Sequence, residues 1–206
     1  MMKYFSLIIL SLLFSYESYS QEFRSGIIAG LCVSQVDGDN MSGYNRFGPQ
    51  GGLFANYVFA DKNAFQLELL YCMRGSATPS EKEPVVMGEI RSQYIDIALY
   101  YKYLFNDKIN AKIGIVPSHL IDYSYTCNGV KQDNVAEFRK LGLTFSIGGE
   151  YFFDDNWFAI GDFNYSLISI REGKAEFSDM GSYYYRFIFD NGQYYNYFKF
   201  SIGHQF

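Results

Sequence analysis

The sequence predicts an all-β fold, an eight-stranded antiparallel up-and-down transmembrane β-barrel preceded by a cleavable signal peptide. Three observations predict it. The chain opens on a short charged and apolar leader, it then alternates strand-like segments with polar breaks, and it holds 20 Tyr and 20 Phe but one Trp among 206 residues. Tyr and Phe favour strands and also populate the aromatic girdles of membrane barrels.

The leader has the pattern of a secretory signal peptide. Lys3 supplies a positive charge, and residues 5–14 form an apolar run too short to span a bilayer. Small residues at Ser18 and Ser20 then fit a cleavage site, which makes Gln21 the first residue of the mature chain. A buried first strand or helix is the alternative interpretation of this stretch.

This leader divides the chain into a signal peptide over residues 1–20 and one outer-membrane β-barrel domain over residues 21–206. No later segment reaches 18 consecutive apolar residues, so no transmembrane helix is predicted. The net charge of -5 and the lack of a basic stripe argue against nucleic acid as a partner.

Eight segments of roughly ten residues alternate in period two and are rich in β-branched and aromatic residues, which is typical of strands. The predicted strands cover residues 23–34, 49–60, 64–74, 92–105, 109–122, 138–153, 157–170 and 193–206.

The breaks between these segments alternate strictly between long and short. The short ones are the polar tripeptides at 61–63, 106–108 and 154–156, which suit tight hairpin turns, and the long ones cover 35–48, 75–91, 123–137 and 171–192. A meander with long loops at one end and short turns at the other explains this alternation, and outer-membrane barrels have that arrangement.

The two faces of each predicted strand differ in polarity. In the fourth strand, YIDIALYYKYLF, one face is apolar and the other carries Asp96 and Lys102. A membrane barrel turns the apolar face out to lipid, whereas a soluble barrel turns it inward and leaves the charges in solvent. The membrane barrel is favoured by the leader, by the alternation of long and short loops, and by the excess of aromatic residues.

Charged residues near the middle of the polar faces are therefore predicted to form a charge network in the barrel interior. Four acids and three bases nearly cancel, and eight strands make a barrel narrow enough for side chains to fill. The predicted network consists of Glu68, Asp96, Lys102, Lys112, Glu150, Asp162 and Lys199.

Aromatic residues beside the short turns are predicted to form a girdle at the membrane interface. They are Tyr57, Phe59, Tyr103, Phe105, Phe152, Phe153, Trp157 and Phe158.

The stretch SGIIAGLCVSQVDGDNMSGYNRFGPQGGLFANYVF resembles the start of the PorT-like outer-membrane β-barrel family of Bacteroidetes. Gly26 and Gly30 fit the glycine-spaced opening strand of that family, and Gly51 fits its second strand, while Cys32 stands where Asn is more usual. The segments FQLELLYCMRGS and YIDIALYYKYLF resemble the family's third and fourth strands, with Glu68 inward.

The resemblance implies an outer-membrane barrel of a Gram-negative bacterium, and most relatives have no assigned activity. It also implies a C-terminal signal for the barrel-assembly machinery, in which His204 departs from the aromatic commonly found there. The residues of this assembly signal are Phe200, Ile202, His204 and Phe206.

Catalytic and metal-binding patterns are sparse. Ser118 and His119 are adjacent in a strand, so their side chains point to opposite faces and cannot easily form a dyad. Glu68 and Asp96 on neighbouring strands are a candidate carboxylate pair, and neutralisation by Lys102 or Lys112 is the simpler expectation. With three Cys, no C-x-x-C and both His far from every Cys, neither a metal nor a cofactor is predicted.

The sequence therefore predicts a non-catalytic scaffold or binding module that sits in the outer-membrane bilayer and acts through its long extracellular loops. Aromatic residues of the third and fourth long loops suit contact with envelope or extracellular protein partners; they are Tyr123, Tyr125, Phe177, Tyr183, Tyr184 and Tyr185. A lipid-modifying outer-membrane enzyme and a soluble lipocalin-like ligand-binding barrel are the alternatives.

Overall fold

The computed structural model describes residues 22–39, 41, 43–79, 88–132, 137–172, 184–185 and 191–206. The predicted signal peptide lies outside these residues. No helix in the described part of the chain is long and apolar enough to cross a membrane.

Eight long strands form the structure. They are β1 (Glu22–Asp37), β2 (Arg46–Ala60), β3 (Asn63–Ala77), β4 (Gly88–Leu104), β5 (Ile109–Cys127), β6 (Leu141–Phe152), β7 (Trp157–Ser166) and β8 (Asn191–Gln205). Three two-residue pairings, Val130–Lys131, Arg171–Glu172 and Tyr184–Tyr185, extend the sheet at the long-loop end.

Each strand pairs antiparallel with the next, and β8 pairs with β1 to close the barrel. The closing register runs from Gly26 opposite Gln205 to Asp37 opposite Tyr194. The predicted fold class, a closed eight-stranded antiparallel up-and-down barrel, is confirmed. Closure pairs the backbone groups of the first and last strands, which a sheet in hydrocarbon requires because lipid offers no hydrogen bonds.

The three predicted short turns connect β2 to β3, β4 to β5 and β6 to β7. In the last of them the Asp154 carboxylate accepts hydrogen bonds from the backbone N–H groups of Asn156 and Trp157, both at 2.8 Å. The Asn106 side chain accepts from the N–H groups of Lys108 and Ile109 in the same way, at 2.9 Å. Asp and Asn are favoured in turns because their side chains cap the backbone locally.

Several strands run further into the long loops than their hydrophobic pattern suggests. β4 begins at Gly88 and β5 continues to Cys127, so these two strands form a tall hairpin, whereas β7 ends at Ser166, short of the predicted 170. The added residues pair through their backbones: Ile90 and Tyr125 face each other across the hairpin at a buried cluster, and their neighbours Glu89 and Arg91 pair with Thr126 and Ser124. Polar residues thus take the positions that apolar residues hold lower on the strands, which hides the hydrophobic pattern.

A tight turn that the sequence interpretation overlooked caps β5. Asn128 and Gly129 have φ values of 52° and 77°, and Cys127 pairs with Val130 across them. Two central residues with positive φ define a type I′ hairpin, for which Asn-Gly is the strongest sequence signal. We call residues 127–131 the β5 hairpin tip.

The outward faces of the strands form an apolar band. Along β4 and the residue that follows it, the band extends from Ile95 to Phe105. Ten residue steps of about 3.3 Å at a tilt of about 40° give roughly 25 Å along the axis, the height of the apolar band of outer-membrane barrels. Further outward members include Leu31, Leu53, Leu67, Leu69, Leu99, Ile113, Ile147 and Phe200.

Aromatic rings form a belt on the outer surface beside the short turns. Phe23 stacks on Tyr57 at 4.9 Å, and Phe59 stacks on Phe65 at 4.8 Å between ring centroids. Six of the eight predicted girdle residues point outward here: Tyr57, Phe59, Tyr103, Phe105, Phe153 and Trp157.

The prediction was wrong for Phe152 and Phe158, which face the interior. Phe158 is 1% exposed, stacks on Phe152 at 4.7 Å and meets Phe54 edge-on at 5.6 Å. Phe152 and Phe153 are consecutive in a strand, and so are Trp157 and Phe158, so only one of each pair can face lipid.

Placing a charged residue in the middle of the apolar band tests whether the apolar strand faces point to lipid. We expect Leu99→Arg to lower the free energy of unfolding by about 2–4 kcal/mol, since a cation at mid-depth meets hydrocarbon, and Phe47→Arg near the band's edge to lower it by about 1 kcal/mol or less. Urea unfolding of the protein folded into lipid vesicles measures both. Equal losses in the two variants would contradict the placement of the band.

Candidate functional site in the barrel interior and mouth

The structure places all seven residues of the predicted interior network inside the barrel, each with less than a tenth of its surface exposed. It adds Arg74, which is also buried. The interior network thus holds four acids and four bases, because Arg74 supplies the fourth base, which the prediction from sequence lacked. Its signal was present in the sequence, since Arg74 lies on the same face of β3 as Glu68.

Lys112 lies at the centre of the network. Its Nζ is 2.9 Å from Glu68 Oε1 and 3.1 Å from Asp162 Oδ2, and it also lies 4.2 Å from the centroid of the Tyr100 ring. Lys199 is the second partner of Asp162, at 3.6 Å. Burial of these charges is tolerable because each acid has a cation within contact distance.

A second part of the network lies towards the short turns. Lys102 is 2.5 Å from Glu150 and donates a hydrogen bond to Gln66 Oε1 at 2.8 Å. Gln66 in turn donates to Glu68 at 2.7 Å, so the amide joins this ion pair to the Lys112 cluster.

Arg74 forms the third part, nearer the long loops. Its two terminal nitrogens donate to the carboxylate of Asp96 at 3.1 and 3.3 Å, and Nη1 also donates to Tyr197 at 2.7 Å. The guanidinium carbon lies 4.0 Å from the centroid of Tyr94. The expectation that Lys102 or Lys112 neutralises Asp96 was wrong for this residue, because Arg74 does so.

These contacts leave the predicted carboxylate pair without a shared site. Glu68 is bound by Lys112, whereas Asp96, which lies opposite Leu70 in the β3–β4 register, is bound by Arg74. Ser118 is buried whereas His119 is exposed, as expected of adjacent strand residues. Among the residues described, no three His, Cys, Asp or Glu side chains converge on a metal site.

An apolar layer and an open cup lie at the short-turn end. Ile28, Phe54, Leu70, Phe158 and Ile160 pack together across the interior. Beyond them a cavity of about 690 Å³, which we call the cup, opens to solvent between the short turns. Its lining extends into the barrel as far as Lys102 and Asn110. The apolar layer separates this cup from the Arg74 end of the network.

The first long loop folds into the other end of the barrel. Gln193 donates to the carbonyl of Gly38 at 2.9 Å, and Ser76 donates to the carbonyl of Met41 at 3.3 Å. Arg171, itself buried, donates to Gln193 from the fourth loop. We call residues 38–41, of which 38, 39 and 41 are described, the loop 1 lid.

Apolar side chains pack beneath and around this lid. Met41 belongs to a buried cluster that closes the mouth, and the half-buried Tyr123 and Tyr125 pack against it. The cluster consists of Cys32, Val36, Met41, Cys72, Ile90, Tyr94, Leu120, Phe138, Ile170, Tyr195 and Tyr197.

Asp39 is the charged residue of the lid. Its Oδ1 accepts a hydrogen bond from the Met41 N–H at 2.9 Å, while Oδ2 is buried and has no hydrogen-bond partner among the described residues. Burial raises the pKa of Asp39 to about 7; hydrogen bonds from Ser76 and Met41 and the charge of Arg171 oppose the rise, and Asp37 adds to it. The closed mouth therefore favours the protonated carboxyl.

A family model described as "Outer membrane protein beta-barrel domain" matches residues 16–172. The chain belongs to this family of outer-membrane β-barrels. The protein is thus located in the bacterial outer membrane and its apolar band lies in the lipid bilayer. The alternative of a soluble lipocalin-like barrel is wrong, because the apolar faces point outward and the charges inward.

Solved structures share the fold of this outer-membrane barrel. Ail, the attachment invasion locus protein of Yersinia pestis, matches with a TM-score of 0.52 at 13% identity, over 90% of this chain and 99% of that chain. Neisserial surface protein A (NspA) matches with a TM-score of 0.50 at 11% identity, over 88% and 97%. No curated protein matches the chain. In such barrels the short turns face the periplasm and the long loops face outward.

Removal of the central cation tests the interior network. We expect Lys112→Met to lower the free energy of unfolding by about 3–5 kcal/mol, because Glu68 and Asp162 then share too few cations. Adding Glu68→Gln should restore part of the loss. Urea unfolding in lipid vesicles measures it, with Lys108→Met in an exposed turn as the control. An equal effect of Lys112→Met and Lys108→Met would contradict the network.

The raised pKa of Asp39 predicts a pH-dependent mouth. The closed lid has its full stability below pH 4, where the carboxyl is protonated in both states, and it loses stability as the pH rises through about 7. Hydrogen exchange at the Met41 amide should therefore accelerate, relative to Asp39→Asn, between about pH 5.5 and pH 8.5. Division by the rate in Asp39→Asn removes the intrinsic pH dependence of amide exchange. A ratio of the two exchange rates that stays constant with pH would refute the prediction.

Proposed function

We propose that this outer-membrane barrel is a non-catalytic scaffold or binding module that acts through its extracellular loops. The single observation that carries the proposal is the filled interior. Ion pairs and apolar layers occupy the barrel, and the loop 1 lid covers its outer mouth, so the surface left for a macromolecular partner is the exterior of the loops. Loops on a rigid scaffold are where binding residues concentrate.

The β5 hairpin tip is the best described candidate for the contact surface. Its turn residues and Lys131 are exposed, and Val130 is 62% exposed at the top of the tallest hairpin. Tyr123 and Tyr125, which the sequence suggested as contacts, instead pack on the mouth cluster, with Tyr123 4.6 Å from Phe138. Phe177 and Tyr183, suggested with them, lie outside the described residues.

The non-catalytic part of the proposal draws on the polar side chains that were candidates for chemistry. His119 points to the lipid side and Ser118 to the interior, and His204 packs on Trp157 at 4.5 Å beside the aromatic belt. The described acids of the interior network are engaged by cations. A lipid-modifying site needs a base, a nucleophile and an acid that converge at one rim.

The finer identity also belongs to the proposal. We place the chain among PorT-like barrels of Bacteroidetes on the strand motifs quoted above. Phe200 and Phe206 are outward and exposed, with Ile202 between them, as suits a terminal strand read by the barrel-assembly machinery. The signal peptide over 1–20 would leave Gln21 as the first residue, and N-terminal sequencing of the membrane-purified protein tests that boundary.

Site-directed photo-crosslinking in intact cells tests the binding role. A photoreactive residue at Val130 or Lys131 should give a discrete adduct, because these side chains project from the hairpin tip. The matched controls are Lys108 and Asp155 in the exposed periplasmic turns. Adducts that are absent at the tip, or equal at the tip and the turns, would refute a loop-borne binding function.

A transport function would give a different result. Eight strands leave room only for side chains, so the purified barrel should show no stable conductance in planar bilayers. Persistent ion currents that survive replacement of the hairpin tip would favour a pore over a binding module.

A further inference from the structure

The cup at the short-turn end is a cavity that the binding role of the loops leaves unused. Its volume of about 690 Å³ lies within the range of small-molecule pockets, about 300–1,000 Å³. Its lining includes residues of all three short turns, and Phe54 and Phe158 of the apolar layer lie at its inner end. A cavity that is closed at one end suits the binding of a small molecule better than its passage.

Aromatic rings form one wall of the cup. Phe158 on β7 stacks on Phe152 at the end of β6, with ring centroids 4.7 Å apart, and both residues line the cavity. Phe54 meets Phe158 edge-on at 5.6 Å. Because aromatic rings offer a large apolar surface, this wall suits an apolar or aromatic side chain of a ligand.

Side-chain amides form a second part of the lining. Asn56 lies on β2, which is four strands away from β6 and thus across the barrel, and Asn110 lies on β5. Both line the cup and are buried. Asn110 donates a hydrogen bond to Glu150 at 3.2 Å, whereas Asn56 Oδ1 is buried and has no hydrogen-bond partner among the described residues. A side-chain amide carries both a donor and an acceptor, so it can pair with the N–H and C=O groups of a peptide.

The charges that line the cup are ordered by depth. Lys102 is buried, and its ammonium contacts Glu150 at 2.5 Å and Gln66 at 2.8 Å, so one of its three N–H donors is left for a ligand. Arg24 lies directly opposite Asn56 in the β1–β2 register. The exposed charged side chains at the entrance are Asp61, Lys62, Asp107 and Asp155. Among the described side chains, the inner part of the cup is therefore positive in net charge and its entrance is negative.

We propose that the cup binds a short zwitterionic peptide whose carboxyl-terminal side chain is apolar. Its carboxylate accepts hydrogen bonds from Lys102 and Arg24, and its apolar side chain packs on the wall formed by Phe152 and Phe158. Its peptide group pairs with the amide of Asn56, and its ammonium lies among the acids of the entrance. The proposal is independent of the binding role of the loops, because the cup opens at the opposite end of the barrel.

The dipeptide alanyl-phenylalanine is the probe, because it has one peptide group, both terminal charges and an aromatic carboxyl-terminal side chain. The chain is folded into lipid nanodiscs rather than detergent, since detergent monomers compete for an apolar wall. Saturation-transfer NMR measures the Kd of the dipeptide, of its N-acetyl form and of its carboxyl-terminal amide. We expect the loss of either terminal charge to raise the Kd about tenfold or more, because hydrogen bonds to charged groups are among the strong ones.

Filling the cup tests where the dipeptide binds. Val58 lines the cavity from β2, whereas its neighbour Phe59 points to the lipid. Val58→Trp should abolish binding because the ring occupies the cavity, and Phe59→Trp, the matched control, should leave the Kd unchanged. Heat-modifiable gel migration verifies that each variant is folded. If Val58→Trp does not fold, Leu104→Trp, which also lines the cup, replaces it.

Charge removal tests the orientation of the dipeptide. Arg24→Gln should raise the Kd of the dipeptide about tenfold and leave the Kd of its amide nearly unchanged, because only the free carboxylate interacts with the guanidinium. Merely structural damage would weaken both ligands alike.

The entrance acids are tested in the same way. The combined variant Asp61→Asn, Asp107→Asn and Asp155→Asn should weaken the dipeptide and leave its N-acetyl form nearly unchanged. The turns keep the side chains that cap them, Asn106 and Asp154. Asp122→Asn, an exposed acid at the long-loop end, is the control.

Three outcomes would overturn the proposal. They are the absence of saturation transfer to the dipeptide at millimolar concentration with the folded protein, an equal Kd in Val58→Trp and Phe59→Trp, and a Kd that does not change when both termini of the dipeptide are blocked. The last would mean that the aromatic wall binds any apolar side chain without regard to the charges.

Discussion

The pairing of β1 with β8 is the constraint on which the rest of the structure depends. A sheet in hydrocarbon must leave no backbone edge, so the chain closes on itself. Closure at eight strands fixes a narrow interior that side chains must fill. Once the apolar residues are turned to lipid, the polar residues of every strand have only that interior to occupy. The inverted polarity of the protein is thus a consequence of closure.

A filled polar interior is stable only if its charges balance. Four acids and four bases meet in three connected groups around Lys112, Lys102 and Arg74, and uncharged Gln66 and Tyr100 join or cover them. The apolar layer around Phe158 separates the Arg74 end of the network from the periplasmic cup, Lys102 lines that cup, and the mouth cluster closes the network from outside. Pairing of every acid with a cation explains why charges that a soluble protein would expose are tolerated here.

Local rules carried the sequence interpretation a long way. Period-two patterning located all eight strands, and loop lengths indicated the closed meander. The features that it missed are contacts in which the role of one residue depends on another residue far away in the sequence. Arg74, at the end of its predicted strand, shares a face with Glu68, but its role as the partner of Asp96 depends on the neighbouring strand. Phe152 and Phe158 were assigned to the girdle by residue type although their neighbours already occupy the lipid side. The loop 1 lid depends on Gln193 and Arg171, more than 130 positions away, and no local pattern indicates that contact.

The loop 1 lid and the β5 hairpin tip differ in how readily they can accept an insertion. The lid is held by hydrogen bonds from Gln193 of β8 and Ser76 of β3 and by the packing of Met41, so an insertion there would have to displace the cover of the barrel. The Asn128–Gly129 turn is exposed and stands at the top of a strand pair that is already formed below it. Insertions are tolerated best at exposed turn tips. This turn therefore gives the barrel a natural position for displaying a foreign peptide at the cell surface.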